Sequence, residues 1–305
     1  MVRVHQTVLL QEAVDACCQD LSGRYVDATY GRGGHSAAIL ARLSPDGRLL
    51  AIDRDPEAVA APLVGDSRFH LVHGAFGDLA SHVQAHWGVG RLSGVLFDLG
   101  VSSPHLDCPE RGFSFQHDGP LDMRMDPTTG VSAAQWLAEV DEAELARVLW
   151  EYGEERHSRR IARALIAARA ERPLNTTAQL AEQVSRAHPR WPRKRHPATQ
   201  TFQAIRMHIN DELGQLRLGL EQAEALLAPG GHLVVISFHS LEDRLVKQFM
   251  RAHSEPARGP RGLPPPPGAP EPTLQVVQRA SRPSAAEVEA NPRARSAVMR
   301  VAAKR

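Results

Sequence analysis

Hydrophobic positions follow two rhythms along this chain. In the first third, short apolar runs rich in strand-forming residues (25–30, 49–53, 69–73 and 95–98) recur about every 20 to 25 residues. Helix-like segments such as 35–43 lie between them. Strands alternating with helical stretches predict βαβ units and a parallel sheet. Beyond Asp98 this rhythm stops, and the next strand-like run, 233–238, begins more than 130 residues later.

The long interval patterns as helix. Ser132 with Gln135, Asp141 with Glu144, and Thr176 with Gln179 all have capping-box spacing. The Ala- and Arg-rich run 157–171 halts before Pro173. A structureless loop of such length is foreign to a compact domain. The expected organisation is therefore an α/β domain formed by residues 1–103 and 216–305, with a helical domain, 104–215, inserted into it. A helix is predicted over 241–252, and strands over 273–279 and 297–302. The Pro/Gly-rich stretch 254–272 is expected to hold no regular structure and to be mobile.

Composition adds exclusions. The 305 residues are 42% hydrophobic and 23% charged, ordinary globular usage with enough apolar material for a real core. Aromatic residues are only 5%, which argues against a stacking-rich binding module. A net charge of +1 leaves nucleic-acid binding to local patches. Three cysteines, with Cys17 and Cys18 adjacent, cannot build a disulfide framework and fit a reducing cytoplasm. Neither a secretory leader nor a membrane span is expected.

Candidate chemistry gathers at the predicted strand ends. The first strand runs into Asp27-Ala28-Thr29-Tyr30-Gly31-Arg32-Gly33-Gly34-His35. Glycines at a strand-to-helix turn let a ligand approach the backbone and expose the helix N-terminus. The second strand ends in Asp53, 20 residues after Gly33, where a carboxylate can accept both hydroxyls of an adenosine ribose. A dinucleotide fingerprint needs Gly or Ala at position 36, which is Ser36 here. Asp27 would face like charge from a pyrophosphate but opposite charge from a methionyl ammonium and sulfonium. The pattern therefore favours S-adenosylmethionine. Phe76, after the third strand, is placed either to pack on an adenine ring or to fill the core. Asp98 closes the fourth strand, facing the crevice where open α/β sheets bind ligands. A carboxylate there is poor core filler, because an unpaired buried charge is expensive.

These residues belong to longer blocks: 5–10, 27–35, 51–56, 98–104, 110–115, 119–126, 152–156, 196–199, 201–204, 237–243 and 291–296. In their order the chain resembles the bacterial ribosomal small-subunit (16S) RNA cytosine-N4 methyltransferase family, RsmH, formerly MraW, over nearly its whole length. The resemblance implies a Rossmann-like class I S-adenosylmethionine methyltransferase sheet with an inserted helical domain. It also implies cofactor contacts from Gly33, Gly34, His35, Asp53, Phe76 and Asp98. His105 stands where the family commonly has Gln, and still offers a donor and an acceptor. Gln200 stands where the family usually has Arg.

Methyl transfer to an exocyclic amine needs an acceptor that polarises the nitrogen and stabilises its developing charge. Asp98 is the first candidate and His239, in the turn after the fifth strand, the second. The alternative for His239 is capping the following helix. The Asp/Asn-Pro-Pro-aromatic loop of many amino-methylating enzymes is replaced here by Asp98-Leu99-Gly100-Val101. Cys108, with nothing evident to activate it, reads as a loop cysteine rather than a nucleophile for carbon methylation. The fifteen histidines do not fall into metal-ligand spacings with cysteines, and the reaction needs no metal.

Residues 186–196 carry Arg186, Arg190, Arg193, Lys194 and Arg195, with Trp191 and prolines interleaved and no acid. Such a run is either a solvated face or a phosphate-binding surface with base stacking, and the aromatic favours the second. Arg193, Lys194, Arg195 and His196 are the candidate RNA contacts. Residues 279–305 carry seven Arg or Lys against two Glu, a second basic stretch. The target nucleotide is expected to be unstacked into the crevice with the insert as a lid. The expected partner is small-subunit ribosomal RNA or the assembled 30S subunit, and the resemblance implies a decoding-centre cytidine. Three alternatives remain open. One is a methyltransferase acting on DNA or another RNA. The second is an RNA-binding ribosome-assembly factor with cofactor binding but little turnover. The third, disfavoured by Ser36, is a nicotinamide dehydrogenase.

Overall fold

The computed structural model describes residues 7–63, 65–88, 90–189, 196–256 and 271–305. In chain order it runs α1 (Leu10–Cys17), β1 (Arg24–Asp27), α2 (Gly34–Arg42), β2 (Arg48–Asp53), α3 (Pro56–Val59), β3 (Phe69–His73), α4 (Leu79–Trp87) and β4 (Leu92–Asp98). There follow α5 (Ser103–Asp107), α6 (Ala133–Glu139), α7 (Glu142–Glu151), α8 (Ser158–Glu171), α9 (Thr177–Ala187) and α10 (Ala198–Ile209). The chain closes with α11 (Glu212–Leu226), β5 (Leu227–Ser237), α12 (Ser240–Ser254), β6 (Leu274–Ser281), α13 (Ala285–Ala290) and β7 (Val298–Lys304). The chain divides into two compact units, one of Met1–Gly100 with Leu213–Arg305 and one of Val101–Glu212.

Among the described residues the first unit holds a seven-stranded sheet in the order β3-β2-β1-β4-β5-β7-β6. The first five strands are mutually parallel, while β7 runs antiparallel to both β5 and β6. This is the Rossmann-like methyltransferase sheet expected from the sequence. The apolar runs read as uninterrupted because both faces are covered. Tyr25, Leu49, Ala51, Leu96, Val234 and Ile236 enter one core, with α1 and α2. Their neighbours Val26, Leu50, Ile52, Val95, Phe97, Leu233 and Val235 enter the other, with α4, α11 and α12. This is the period-two alternation of a pleated strand. The helix α1 was not anticipated, and β5 begins six residues earlier than the predicted run.

The second unit is helical and has its own core, in which Leu121 and Met123 join Leu145, Leu149, Ile161, Leu165, Leu180 and Phe202. Its helices start where the capping boxes placed them. Ser132 accepts from the Gln135 amide, Asp141 from Glu144 and Thr176 from Gln179. Each such cap is worth about 1 kcal/mol. Gln200 donates to the Gly153 carbonyl at 2.9 Å and so holds the turn after α7. The Pro/Gly-rich residues 257–270 lie outside the described residues. No helix among the described residues is long and apolar enough to cross a membrane.

Candidate active site

The strand order reverses between β1 and β4, the strands whose neighbours lead off in opposite directions. The carboxyl ends of two such strands splay around a crevice, the usual ligand site of an open α/β sheet. Asp27 ends β1 and Asp98 ends β4, so carboxylates flank that point.

Asp27 is fully buried. Its Oδ2 accepts from the Ser36 hydroxyl at 2.6 Å and its Oδ1 from the Thr29 amide at 3.2 Å. Burial pushes its pKa up to about 6, against the pull of these hydrogen bonds, which favour the charged form. Ser36, the residue that breaks a dinucleotide fingerprint, is in the fold the partner of a buried acid.

The loop after β1 is shaped around its glycines. Gly33 sits at φ 74° as the N-cap of α2, which has no side-chain cap in its first turn. A Cβ on Gly33 would come within 2.8 Å of the Tyr30 hydroxyl, and one on Gly34 within 1.9 Å of Thr7 Oγ1. The Gly31 amide donates to Asp53 Oδ2 at 2.7 Å, and the Asp55 amide donates to Asp53 Oδ1 at 2.8 Å. Asp53 therefore ties the glycine loop to the end of β2 while its carboxylate, which has room for about four donors, faces the same loop.

Asp98 is joined to this loop from the other side. Its amide donates to Thr29 Oγ1 at 2.6 Å, a contact the sequence reading missed. Its Oδ2 lies 3.6 Å from His35 Nδ1, while 24% of the side chain remains open to solvent. Its Oδ1 is buried with no hydrogen-bond partner among the described residues. Burial foremost, then the charges of Asp27 and Glu242, hold this carboxyl well above the usual carboxylate range. An acceptor oxygen kept dry and unfilled beside a loop built for ligand approach is costly unless a donor or cation arrives.

Phe76 is half-buried, packed edge-on against Phe97 at 5.5 Å and beneath Gly219 of α11. His239 is the N-cap of α12: Glu242 donates its amide to Nδ1 at 3.4 Å. Its Nε2 stands 2.9 Å from Glu242 Oε1, off the hydrogen-bond direction. Glu242 in turn accepts from the Phe238 amide at 2.9 Å. The ring thus adjoins the acid whose charge acts on Asp98.

Gly33, Gly34, His35, Asp53, Phe76, Asp98 and His239 all belong to the first unit. His105 and His196 belong to the second. His105 is buried in the first turn of α5, where its Nδ1 accepts from the Ser102 amide at 3.2 Å and its ring lies 4.7 Å from that of Phe113. His196 stacks on Phe115 at 4.5 Å, and Phe115 meets Phe202 edge-on; burial lowers the His196 pKa. Arg193, Lys194 and Arg195 lie outside the described residues. Of the C-terminal cations, Arg300 is held by Asp243, Lys304 by Glu224, and Arg305 by the Leu274 carbonyl. That stretch is therefore committed in good part to the fold rather than to a basic surface. Cys108 is half-buried at the end of α5.

The model of the MraW methylase family matches residues 2–305. A "Ribosomal RNA small subunit methyltransferase H" from Thioalkalivibrio sulfidiphilus (strain HL-EbGR7) is 58% identical over 303 residues, covering 98% of this chain and 96% of that protein. The protein of the same name from Chromohalobacter salexigens is 57% identical over 308 residues, covering 98% of this chain and 91% of that one. That from Burkholderia vietnamiensis (strain G4 / LMG 22486) is 54% identical over 304 residues, covering 98% and 96%. With the glycine loop, the paired strand-end carboxylates and the sheet order all present, and with matches of this length, the chain belongs to the MraW methylase family.

Proposed function

We propose that this protein transfers the methyl group of S-adenosylmethionine to the exocyclic N4 of a decoding-centre cytidine in small-subunit (16S) ribosomal RNA, as free RNA or within the 30S subunit, in the cytoplasm. The ribosomal substrate is supported by the names its relatives carry. The N4 position is supported by the ordered blocks that resemble the cytosine-N4 family. The observation that carries the chemistry is the buried, unfilled Oδ1 of Asp98 at the switch point.

The donor set suits the cofactor. Three carboxylates (Asp27, Asp53 and Asp98) surround the glycine loop, which fits a cationic ligand and opposes a pyrophosphate. In this reading Asp53 accepts the ribose hydroxyls, and Phe76 packs on the adenine. The amides of Gly33, Gly34 and His35 receive the methionine carboxylate at the start of α2. Asp98 faces the sulfonium side, and His105 takes the role implied by its place in the family block. When bound, the cofactor supplies an electrophilic methyl carbon on a cationic sulfur.

The remaining work falls to the protein. Asp98 accepts a hydrogen bond from the target amine, draws its lone pair out of the ring and stabilises the positive charge that develops on nitrogen. As the carboxylate, the form a neighbouring cation favours, Asp98 takes the proton the amine must lose as the carbon–nitrogen bond forms. His239, the second candidate, acts as a positioning residue: it orders Glu242, whose charge bears on Asp98. Arg193, Lys194 and Arg195 are proposed to neutralise phosphates and His196 to stack on a base, with the helical unit as the RNA-recognition domain.

The test is mass spectrometry of nucleosides from small-subunit RNA of cells with and without the protein. Loss of N4-methylcytidine, restored by the wild type but not by Asp98→Asn or Asp53→Asn, is the expected result. Unchanged N4-methylcytidine in the deletion would overturn the assigned substrate.

A further inference from the structure

We propose that the helical unit carries a divalent transition-metal site built from Glu155, His157 and His188, with zinc as the preferred ion. Each residue offers one ligand atom, and these atoms lie within 4.8 Å of one another. Two imidazoles and a carboxylate are a borderline donor set, suited to zinc rather than to magnesium or calcium. Donors around a tetrahedral zinc stand roughly 3.4 Å apart at bond lengths of about 2.1 Å, so small side-chain rotations close the site.

The fold brings these residues together from separate places. Glu155 and His157 both lie in the turn from α7 into α8, where His157 is the residue before the helix. His188 is the residue that ends α9. The two imidazoles already meet edge-on, with ring centroids 4.9 Å apart.

A second observation points to a ligand. Glu155 is 1% exposed. Its Oε1 accepts from the His157 amide at 2.8 Å, but its Oε2 is buried with no hydrogen-bond partner among the described residues. A buried carboxylate oxygen left unfilled beside two imidazoles is poorly accounted for by packing, since the desolvated oxygen costs free energy that a cation would return. Both histidines keep partial exposure, which gives an ion a route in.

All three ligands belong to the second unit, whereas Asp53 and Asp98 belong to the first. Its three ligands clip the α7–α8 turn to the end of α9, the point from which the chain enters the basic run 190–195. Three protein ligands leave one position for water.

The experiment uses untagged full-length protein stripped with chelator, dialysed against zinc chloride, and analysed by metal emission spectrometry. Cobalt chloride serves as a spectroscopic probe. One equivalent of zinc is expected, together with the visible absorption of a four-coordinate cobalt site. Both should be lost in Glu155→Gln and in His188→Gln variants whose far-UV circular dichroism matches the wild type. If Glu155→Gln does not fold, His157→Gln carries the same comparison. Failure of the wild type to bind stoichiometrically, or binding undiminished in folded variants, would overturn the site.

Discussion

His35 Nδ1, at the start of α2, lies 3.6 Å from Asp98 Oδ2 at the end of β4. The glycine loop and the proposed acceptor thus form one electrostatic unit. Burial, Asp27 and Glu242 all press Asp98 toward its neutral form. Asp98→Asn is therefore expected to raise the melting temperature of the ligand-free protein while lowering methyl transfer on the order of 10²–10³-fold. Paired melting and turnover measurements check this. A variant that is both less stable and fully active would refute the assignment.

The same environment sets a pH dependence. A cation arriving at Asp98 favours the carboxylate, so binding releases a proton and affinity rises as pH climbs through the raised pKa. S-adenosylmethionine carries the sulfonium charge and S-adenosylhomocysteine does not. Calorimetric titrations across pH should show the steeper slope for the charged ligand, and Asp98→Asn should bring the two slopes together.

Asp27 makes stability pH-dependent. Its folded pKa of about 6 lies above its ordinary 3.8, so the folded state holds the proton longer than the unfolded chain does. Its contribution is complete below about pH 4 and is lost as pH rises through about 6, a change of roughly 3 kcal/mol. Denaturant melts from pH 4 to 7 should show this fall, and Asp27→Asn should flatten it. Ser36→Ala removes the 2.6 Å hydrogen bond and should cost about 1–3 kcal/mol at pH 7, where the acid is charged.

Gly34 separates loop shape from loop charge. A Cβ there meets Thr7 Oγ1 at 1.9 Å, so Gly34→Ala must displace the chain at residue 7 or the start of α2. Cofactor affinity should drop at least about tenfold, the equivalent of 1.4 kcal/mol, with the helical unit unaffected. Gly34→Ala combined with Thr7→Gly should recover part of the loss in the same binding titration.

His239 distinguishes capping from electrostatics. Asn is a strong N-cap, so His239→Asn should change the stability to denaturant by less than about 1 kcal/mol. It loses the contact of the ring with Glu242. The pH profile of kcat should therefore shift while KM for the cofactor stays constant. An unmoved profile would leave His239 as a cap alone.

Local chemistry carries much of this protein openly. The N-caps at Ser132, Asp141 and Thr176 start helices through contacts three residues apart, so they are legible in the order of residues. The glycines at 31, 33 and 34 and the acids at 27, 53 and 98 are likewise legible, because a strand end followed by a turn is a local event. Residues that act across the fold were not legible. Thr29 meets the Asp98 amide over 69 positions and Leu9 donates to Glu287 over 278, and no periodicity encodes such pairs. The helix α1 is short, and its burial depends on the neighbouring α2 and the sheet.

The sequence by itself determined the alternation of strands and helices, the helical character of the long interval after Asp98 and the acidic character of the glycine loop. Each follows from period, composition or a turn of fixed spacing. Tertiary structure alone decided which oxygen stays unfilled. Asp98 and Glu155 are ordinary carboxylates as letters. Their significance comes from desolvation, which depends on everything packed around them.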